Sequence, residues 1–518
     1  MKKIMKYIVG AVLLPLAAGS CTDNFEKYNT NPNEPTKLTP SISVLIDCMS
    51  SAEENPCQRN NTFWAGPFGG YITVTNNWSK NFHFYTYNVD DDWNQWSVNW
   101  YYETMYPNYF SVLRNTKGEG AIFAVAQVCR VAIMQNVLTT QGPLPYSQVQ
   151  EGKYTVAYDD EESAHKAMFD DLDAAISVLT VAAGDTGYRP LSASDRVYNG
   201  DYSKWVKFAN TLKLRMAIRI SGVLPDYAKE KAREAVQHSI GVMASADDTA
   251  WDNLNGRYKN GFYQVCVSWQ DAMINGCITS YMNGYNDPRR EKYFIKASDN
   301  AGNDLGYLGV RSGIKGIAKA TYWTKDGWKY SMPNVTETTP MLIFSASEAY
   351  FLRAEGALLG WAAEMGGSAK DLYEQGVKIS FAERGATGVD NYLADDTSTP
   401  DGYTDPQNGK YNIAATSDVS IKWADDGREL ERIITQKWIA NFPLGAEAWT
   451  DYRRTGYPGI FPAVDNLSTE GVTTARGQRR LRFALKEYQS NRQNVQAAVR
   501  LLGGPDTGAT DLWWAKKN

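Results

Sequence analysis

Histidine is almost missing from this chain, with three copies in 518 residues. None of His83, His165 and His238 falls in a His-Glu-x-x-His pattern, and no Gly-x-Ser-x-Gly or phosphate-loop motif occurs. The common signatures of zinc hydrolases, serine hydrolases and nucleotide-binding enzymes are therefore missing. No catalytic residue, metal site or cofactor is assigned. Cysteine is scarce too, with six copies at spacings that match no zinc pattern. Positive charge is in deficit: 53 Lys and Arg face 58 Asp and Glu, for a formal charge of −5. A nucleic-acid partner would want a basic face, so that class is excluded as well. Beyond the N-terminus, no apolar run reads as long enough to span a bilayer.

The N-terminus itself is distinctive. Lys2, Lys3 and Lys6 precede an apolar stretch from Tyr7 to Ala18, and Gly19-Ser20-Cys21 follows. A basic start, a short apolar core and small residues before a cleavage point describe a secretory signal at 1–20. The cysteine placed directly after the small residues resembles a bacterial lipoprotein signal, in which Cys21 is acylated and becomes the first residue. Several acyl chains on one residue exceed what stable anchoring requires. Residues 21–40, polar and rich in Asn and Pro, then read as a tether.

From residue 41 onward helical periodicity dominates. Met168, Leu172, Ile176 and Leu179 recur along one face, as do Trp205, Phe208, Leu212 and Met216. Phe351, Leu352, Glu355, Leu358 and Leu359 form a further stripe, and Tyr373, Val377 and Phe381 follow after a short loop. Helices are also expected at about 42–54, 121–139, 227–238 and 427–441. Antiparallel helical pairs joined by short loops are the unit of a helical-repeat array, here without a strict period. The fold class is mainly α. Residues 41–518 read as a single domain carrying loop-rich insertions at about 241–340 and 385–426, and long insertions of this kind are often functional. In an exported chain the thiols can oxidise, and Cys48 with Cys57, or Cys266 with Cys277, are close enough in sequence for local bridges. Cys129 reads as a buried thiol.

Aromatics are abundant: 16 Trp, 32 Tyr and 17 Phe. Many lie in polar, loop-like sequence. Trp78, Trp93 and Trp96 interleave with Asp90, Asp91, Asp92, Asn94 and Gln95. A second group holds Tyr281 and Tyr285 beside Asn283 and Asn286, and a third holds Trp323 and Trp328 beside Tyr322 and Tyr330. A Trp face packs on the apolar C–H face of a sugar while Asp, Asn and Gln bond its hydroxyls. Trp78, Trp93, Trp96, Tyr281, Tyr285, Trp323 and Trp328 are thus the candidate ligand-binding residues. Exposed aromatic loops serve equally at a protein interface, and Trp100 and Phe110 read as a buried helix face. The acidic run 90–92 lacks the glycine and distal glutamate of a calcium loop and reads as a solvated turn.

Several segments occur together in a recognisable order. They are Gly142-Pro143-Leu144-Pro145-Tyr146-Ser147; Lys204-Trp205-Val206-Lys207-Phe208-Ala209-Asn210; Ser347-Glu348-Ala349-Tyr350-Phe351-Leu352-Arg353-Ala354-Glu355; Thr435-Gln436-Lys437-Trp438; and Ala448-Trp449-Thr450-Asp451-Tyr452-Arg453-Arg454-Thr455-Gly456-Tyr457-Pro458. With Arg479-Arg480-Leu481-Arg482-Phe483 near the end, the set resembles the SusD/RagB family of outer-membrane nutrient-binding lipoproteins. Gln141 departs from the acid or tyrosine expected there. The resemblance implies tetratricopeptide-like helical pairs, a lipid anchor in the outer membrane facing the cell exterior, and a SusC-like TonB-dependent transporter as partner. It also implies capture of an oligosaccharide, or of a peptide as in some members, without turnover. A surface glycoside hydrolase remains the rival, since two carboxylates suffice for that chemistry.

Overall fold

The computed structural model describes residues 38–77, 83–187, 189–316 and 319–516. The signal segment, Cys21 and Trp78 lie outside the described residues, as does most of the tether. The chain runs through α1 (Leu38–Ser50), α2 (Asp91–Trp100), α3 (Tyr106–Thr116), α4 (Gly120–Gln141), α5 (Glu161–Ala182), α6 (Tyr202–Ile220) and α7 (Pro225–Val236). Within the first insertion lies α8 (Gly276–Gly284), and after it come α9 (Ala346–Gly356) and α10 (Ala369–Arg384). The second insertion leads to α11 (Glu429–Ala440), α12 (Gly445–Thr455), α13 (Leu485–Ser490) and α14 (Arg492–Leu502).

Local chemistry sets the helix ends. The Asp90 carboxylate accepts from the backbone N–H groups of Asp92 and Trp93 at 2.9 and 3.3 Å, and Asp91 and Asp92 occupy the first turn of α2. The acidic run is thus a helix N-terminus, where negative charge meets the free N–H groups and the positive end of the dipole. Asp160 caps α5 by accepting from Ser163 N–H. Gly385 ends α10 in the left-handed conformation.

Helix α4 packs on α5, α5 on α6, and α6 on α7; further along, α9 packs on both α10 and α11. These are the paired helices read from periodicity. Helix α4 is long and apolar enough to cross a membrane, contrary to the sequence reading, but 72% of its most apolar window is buried in the core. Leu358 and Leu359 depart from their expected stripe. They fall in the π-helical turn Ala357–Trp361 after α9, which rotates both into solvent.

Buried charge ties the helices together. Arg215 of α6 donates twice to Glu348 of α9, at 2.8 and 2.7 Å, and Asn441 adds a bond to the same carboxylate. Arg219 pairs with Glu447 of α12, and Lys437 of α11 lies 2.9 Å from Asp451. Arg454 pairs with Glu355. A buried charge is tolerable only when paired and hydrogen-bonded, and these helices satisfy one another across the core. Arg289 and Asp287, a sequence that reads as a turn, form a fully buried pair whose guanidinium also reaches Ser380, Tyr392 and Gln436.

All five described cysteines are buried and unpaired, so neither local bridge forms. Cys57 packs against Gly261, and Cys277 against the Gly459 carbonyl. Burial pushes both thiols up to about 12, so they stay protonated.

Two short antiparallel sheets join strands of the first insertion to strands outside it. Strand β1 (Ile72–Val74) pairs with β3 (Ala272–Ile274), and β2 (Ala250–Asp252) pairs with β4 (Met341–Phe344). The β1–β3 register places Ile72 opposite Ile274 and Val74 opposite Ala272. Around this pair, loops from 305–332 and 403–413 build a lobe with its own small core of Met273, Val310, Ile314, Trp323, Tyr330 and Tyr411.

Candidate functional site

The β1–β3 pairing brings together stretches some 200 residues apart in the chain. Thr75 leaves β1 with its N–H on the Asp271 carbonyl at 2.9 Å and its hydroxyl on the Gln270 carbonyl at 2.9 Å. Gln270 is held at a φ of 55°, which turns the chain into β3. The Asp271 carboxylate then gathers three donors from three segments. Asn76 donates its side-chain amide to one oxygen, Lys319 approaches the same oxygen at 3.1 Å, and Gln58 donates to the other at 3.3 Å. Lys319 also donates to the Trp269 carbonyl. Charge-assisted bonds of this kind are strong and directional, so Asp271 fixes the position of all three.

Aromatic side chains lie at both ends of this cluster. On one side Arg59, next in sequence to Gln58, places its guanidinium 4.1 Å from the centre of the Trp96 ring. Trp96 is 38% exposed, a high value for so large an apolar group. On the other side Lys319 opens a short turn whose carbonyl accepts from the N–H groups of Tyr322 and Thr324. Tyr322 packs edge-on against Trp323 and donates to Asp405 at 2.7 Å, and half-buried Trp328 stacks on Tyr330. Burial and the Asp405 carboxylate push the Tyr322 phenol well above its usual range, so it stays a neutral donor. Trp269, half-buried, precedes the turn-forming Gln270-Asp271 pair in the chain, and its carbonyl accepts from Lys319.

The candidate residues separate by burial. Trp96 and Trp328 present ring surface. Trp93 is half-buried, stacked at 4.6 Å on Phe63 and edge-on to His83. Burial lowers His83 to about 4, so it is neutral at physiological pH and its Nε2 sits 3.3 Å from the Asn77 side chain. Trp323 is core at 3% exposure. Tyr281 and Tyr285 lie on α8 and at its end, 0% and 2% exposed. Their hydroxyls donate to the carbonyls of Gly459 and Val419, tying α8 to the stretch after α12 and to the second insertion. On the same helix Asn283 is half-buried and Ser280 is 4% exposed. Ser280 and Asn283 line an open cavity of about 690 Å³ with Asp401, Thr404 and Asn412. Sequence reasoning missed Trp269, Asp271 and Lys319. Trp269-Gln270-Asp271 carries the same Trp-among-polar signal as 93–96, whereas nothing local marks Lys319. Among the described residues, no three His, Cys, Asp or Glu side chains are gathered as a metal site.

The whole molecule was compared with known proteins. The family model for SusD-like, Susd and RagB outer membrane lipoproteins matches residues 26–515. The chain belongs to the SusD/RagB family. Its members are nutrient-binding proteins of the outer-membrane lipoprotein type. Solved relatives agree over 93% of this chain. A SusD-like protein from Bacteroides thetaiotaomicron is 45% identical with a TM-score of 0.88, 99% of it covered. A SusD homologue from Bacteroides uniformis is 40% identical at a TM-score of 0.86, also 99% covered. A chitin-binding SusD homologue from Flavobacterium johnsoniae is 34% identical at 0.87, again 99% covered. No curated protein matches the chain. Within this SusD-like scaffold, the Gln141 departure is a structural contact: its amide donates to the Arg482 carbonyl at 2.8 Å.

Proposed function

We propose that this SusD-like protein captures oligosaccharides at the outer surface of the outer membrane and passes them, uncleaved, to a SusC-like TonB-dependent transporter. Cys21 is the lipidated residue in this reading. The observation that carries it is the Asp271 cluster, a fixed set of carboxylate, amide and ammonium groups whose Gln58 adjoins the Arg59 that faces Trp96 and whose Lys319 opens the turn of Tyr322. Flat apolar faces flanking convergent hydrogen-bonding groups suit a pyranose. The ring faces of Trp96, Trp328 and Trp269 would carry stacking. Asp271, Asn76 and Lys319 would meet hydroxyls, and the chain at Trp78 continues directly from Asn76 and Asn77. The chitin-binding relative makes β-linked N-acetylglucosamine oligomers the first ligands to try.

Calorimetry of the purified protein against a panel of glycans and peptides tests this. Binding to at least one glycan with no release of reducing ends is expected. Binding confined to peptides would overturn the ligand class, and clean hydrolysis would overturn the absence of turnover. Labelling of the expressed protein with radioactive fatty acid, lost in Cys21→Ala, tests the anchor. Co-purification of a barrel protein from the native membrane tests the partner.

A further inference from the structure

A cleft outside the Asp271 cluster has the makings of a second binding site. It has a volume of about 730 Å³, within the range of small-ligand sites, and is bounded by three elements: the stretch 98–110, the loop 145–158 and α13. Its floor is a ladder of rings. Tyr102, Tyr106 and Phe110 follow one another at four-residue steps, the successive centroids 5.6 Å apart and the planes inclined by 23° and 31°. Tyr106 is 4% exposed while Tyr102 and Phe110 are half-buried, so the ladder meets the cleft mainly through its two outer rings, eight residues or about 12 Å apart along the helix.

The walls are built rather than accidental. Tyr102 donates to the Pro145 carbonyl at 3.1 Å, Tyr158 to Glu487 at 3.0 Å, and Asn491 to the Val156 carbonyl at 2.9 Å, tying the loop to both helices. Two features of the lip are left for a ligand. Tyr154 is 92% exposed, and the side-chain amides of Asn99 and Gln150 make no hydrogen bond among the described residues.

The chemistry selects the occupant. Three glutamates and two lysines line the cleft, and Glu103 pairs with Lys486 at 2.8 Å. This near balance favours an uncharged ligand over an anion or a polycation. Two of the three walls are helical, so their main-chain groups are already used and cannot pair with an extended peptide. A neutral polymer with apolar faces and a hydroxyl rim fits both conditions. We propose that this cleft is a second glycan-binding site, holding a short run of an oligosaccharide along the Tyr102–Tyr106–Phe110 ladder. This inference rests on the carbohydrate reading of the ligand.

The test is titration of the full-length lipid-free protein with soluble chitin-type and other β-linked oligosaccharides, using two sets of variants. Tyr154→Ala and Gln150→Ala alter the cleft at exposed positions; Trp96→Ala and Asp271→Asn alter the other cluster. The expected result is two binding events in the parent. The cleft variants weaken one by about tenfold or more, and the Trp96 and Asp271 variants weaken the other. Thermal unfolding should be unchanged in Tyr154→Ala and Gln150→Ala. One binding event, insensitive to both cleft variants and lost with Trp96→Ala, would overturn the second site alone. No binding to any glycan by the parent would overturn this inference and the carbohydrate reading together.

Discussion

Trp96 and Arg289 show how differently one side chain can matter here. Trp96 is exposed and held by a single cation–π contact, so Trp96→Ala should lower glycan affinity about tenfold while leaving the melting temperature within the spread of repeats. Calorimetry and differential scanning fluorimetry on the same sample check both halves. Arg289 has no exposed surface and serves Asp287, Ser380, Tyr392 and Gln436 together. Arg289→Ala leaves an uncompensated buried carboxylate, and a loss of about 3–5 kcal/mol is expected in urea unfolding. The sequence made the first residue legible and hid the second. A tryptophan among acids and amides stands out locally, whereas an Asp-Pro-Arg-Arg run looks like any turn until its partners, some 90 to 150 residues away, are known. Tyr281 and Tyr285 failed in the opposite sense. Flanking Asn and Gly made them look like loop aromatics, although their four-residue spacing already fits one buried helix face.

At the scale of elements, periodicity was a good guide wherever a helix packs by one stripe. The helices around Met168–Leu179, Trp205–Met216 and Tyr373–Phe381 sit where their apolar spacing puts them. The spacing could not show the π-helical turn after α9, because it depends on Gly360, whose φ of 84° breaks the regular helix. Nor could it show the β1–β3 pair, in which three residues find a partner two hundred positions away. Helix α12 illustrates how close such long-range approaches are. A Cβ at Gly445 would lie 2.4 Å from the Ala65 carbonyl oxygen, backbone that cannot retreat cheaply. Gly445→Ala should therefore cost about 1–3 kcal/mol, read as a shifted urea midpoint with an unchanged slope.

For the molecule as a whole, buried carboxylates and buried histidines oppose one another in the response to pH. Burial raises Asp47 and Glu161 to about 7 each, and each keeps one oxygen without a hydrogen-bond partner. An unfolded carboxyl titrates near 4, so between about 4 and 7 the native state holds more protons than the unfolded one. Taken alone, these two make stability fall as pH rises through that window, whereas His83 and His165, lowered by burial to about 4 from an ordinary value near 6.5, make it rise over much the same span. At the acid end Asp451 works the other way. Lysine and arginine neighbours hold it at about 2, so its contribution is complete above about 4 and fades as pH drops towards 2. Asp47→Asn combined with Glu161→Gln should remove the falling component and leave that of the histidines, so melting temperature should rise more between pH 4 and 7 in the double variant than in the parent.

The three donors on Asp271 come from positions 58, 76 and 319, and the aromatic loop beyond extends to Trp328. Under the proposed function, a nascent chain would therefore have no complete grip on cargo until nearly two thirds of it had been made. A saccharide bound there would then act as a splint between the beginning and the middle of the polypeptide. Saturating sugar should slow proteolytic nicking at junctions far from any atom it touches.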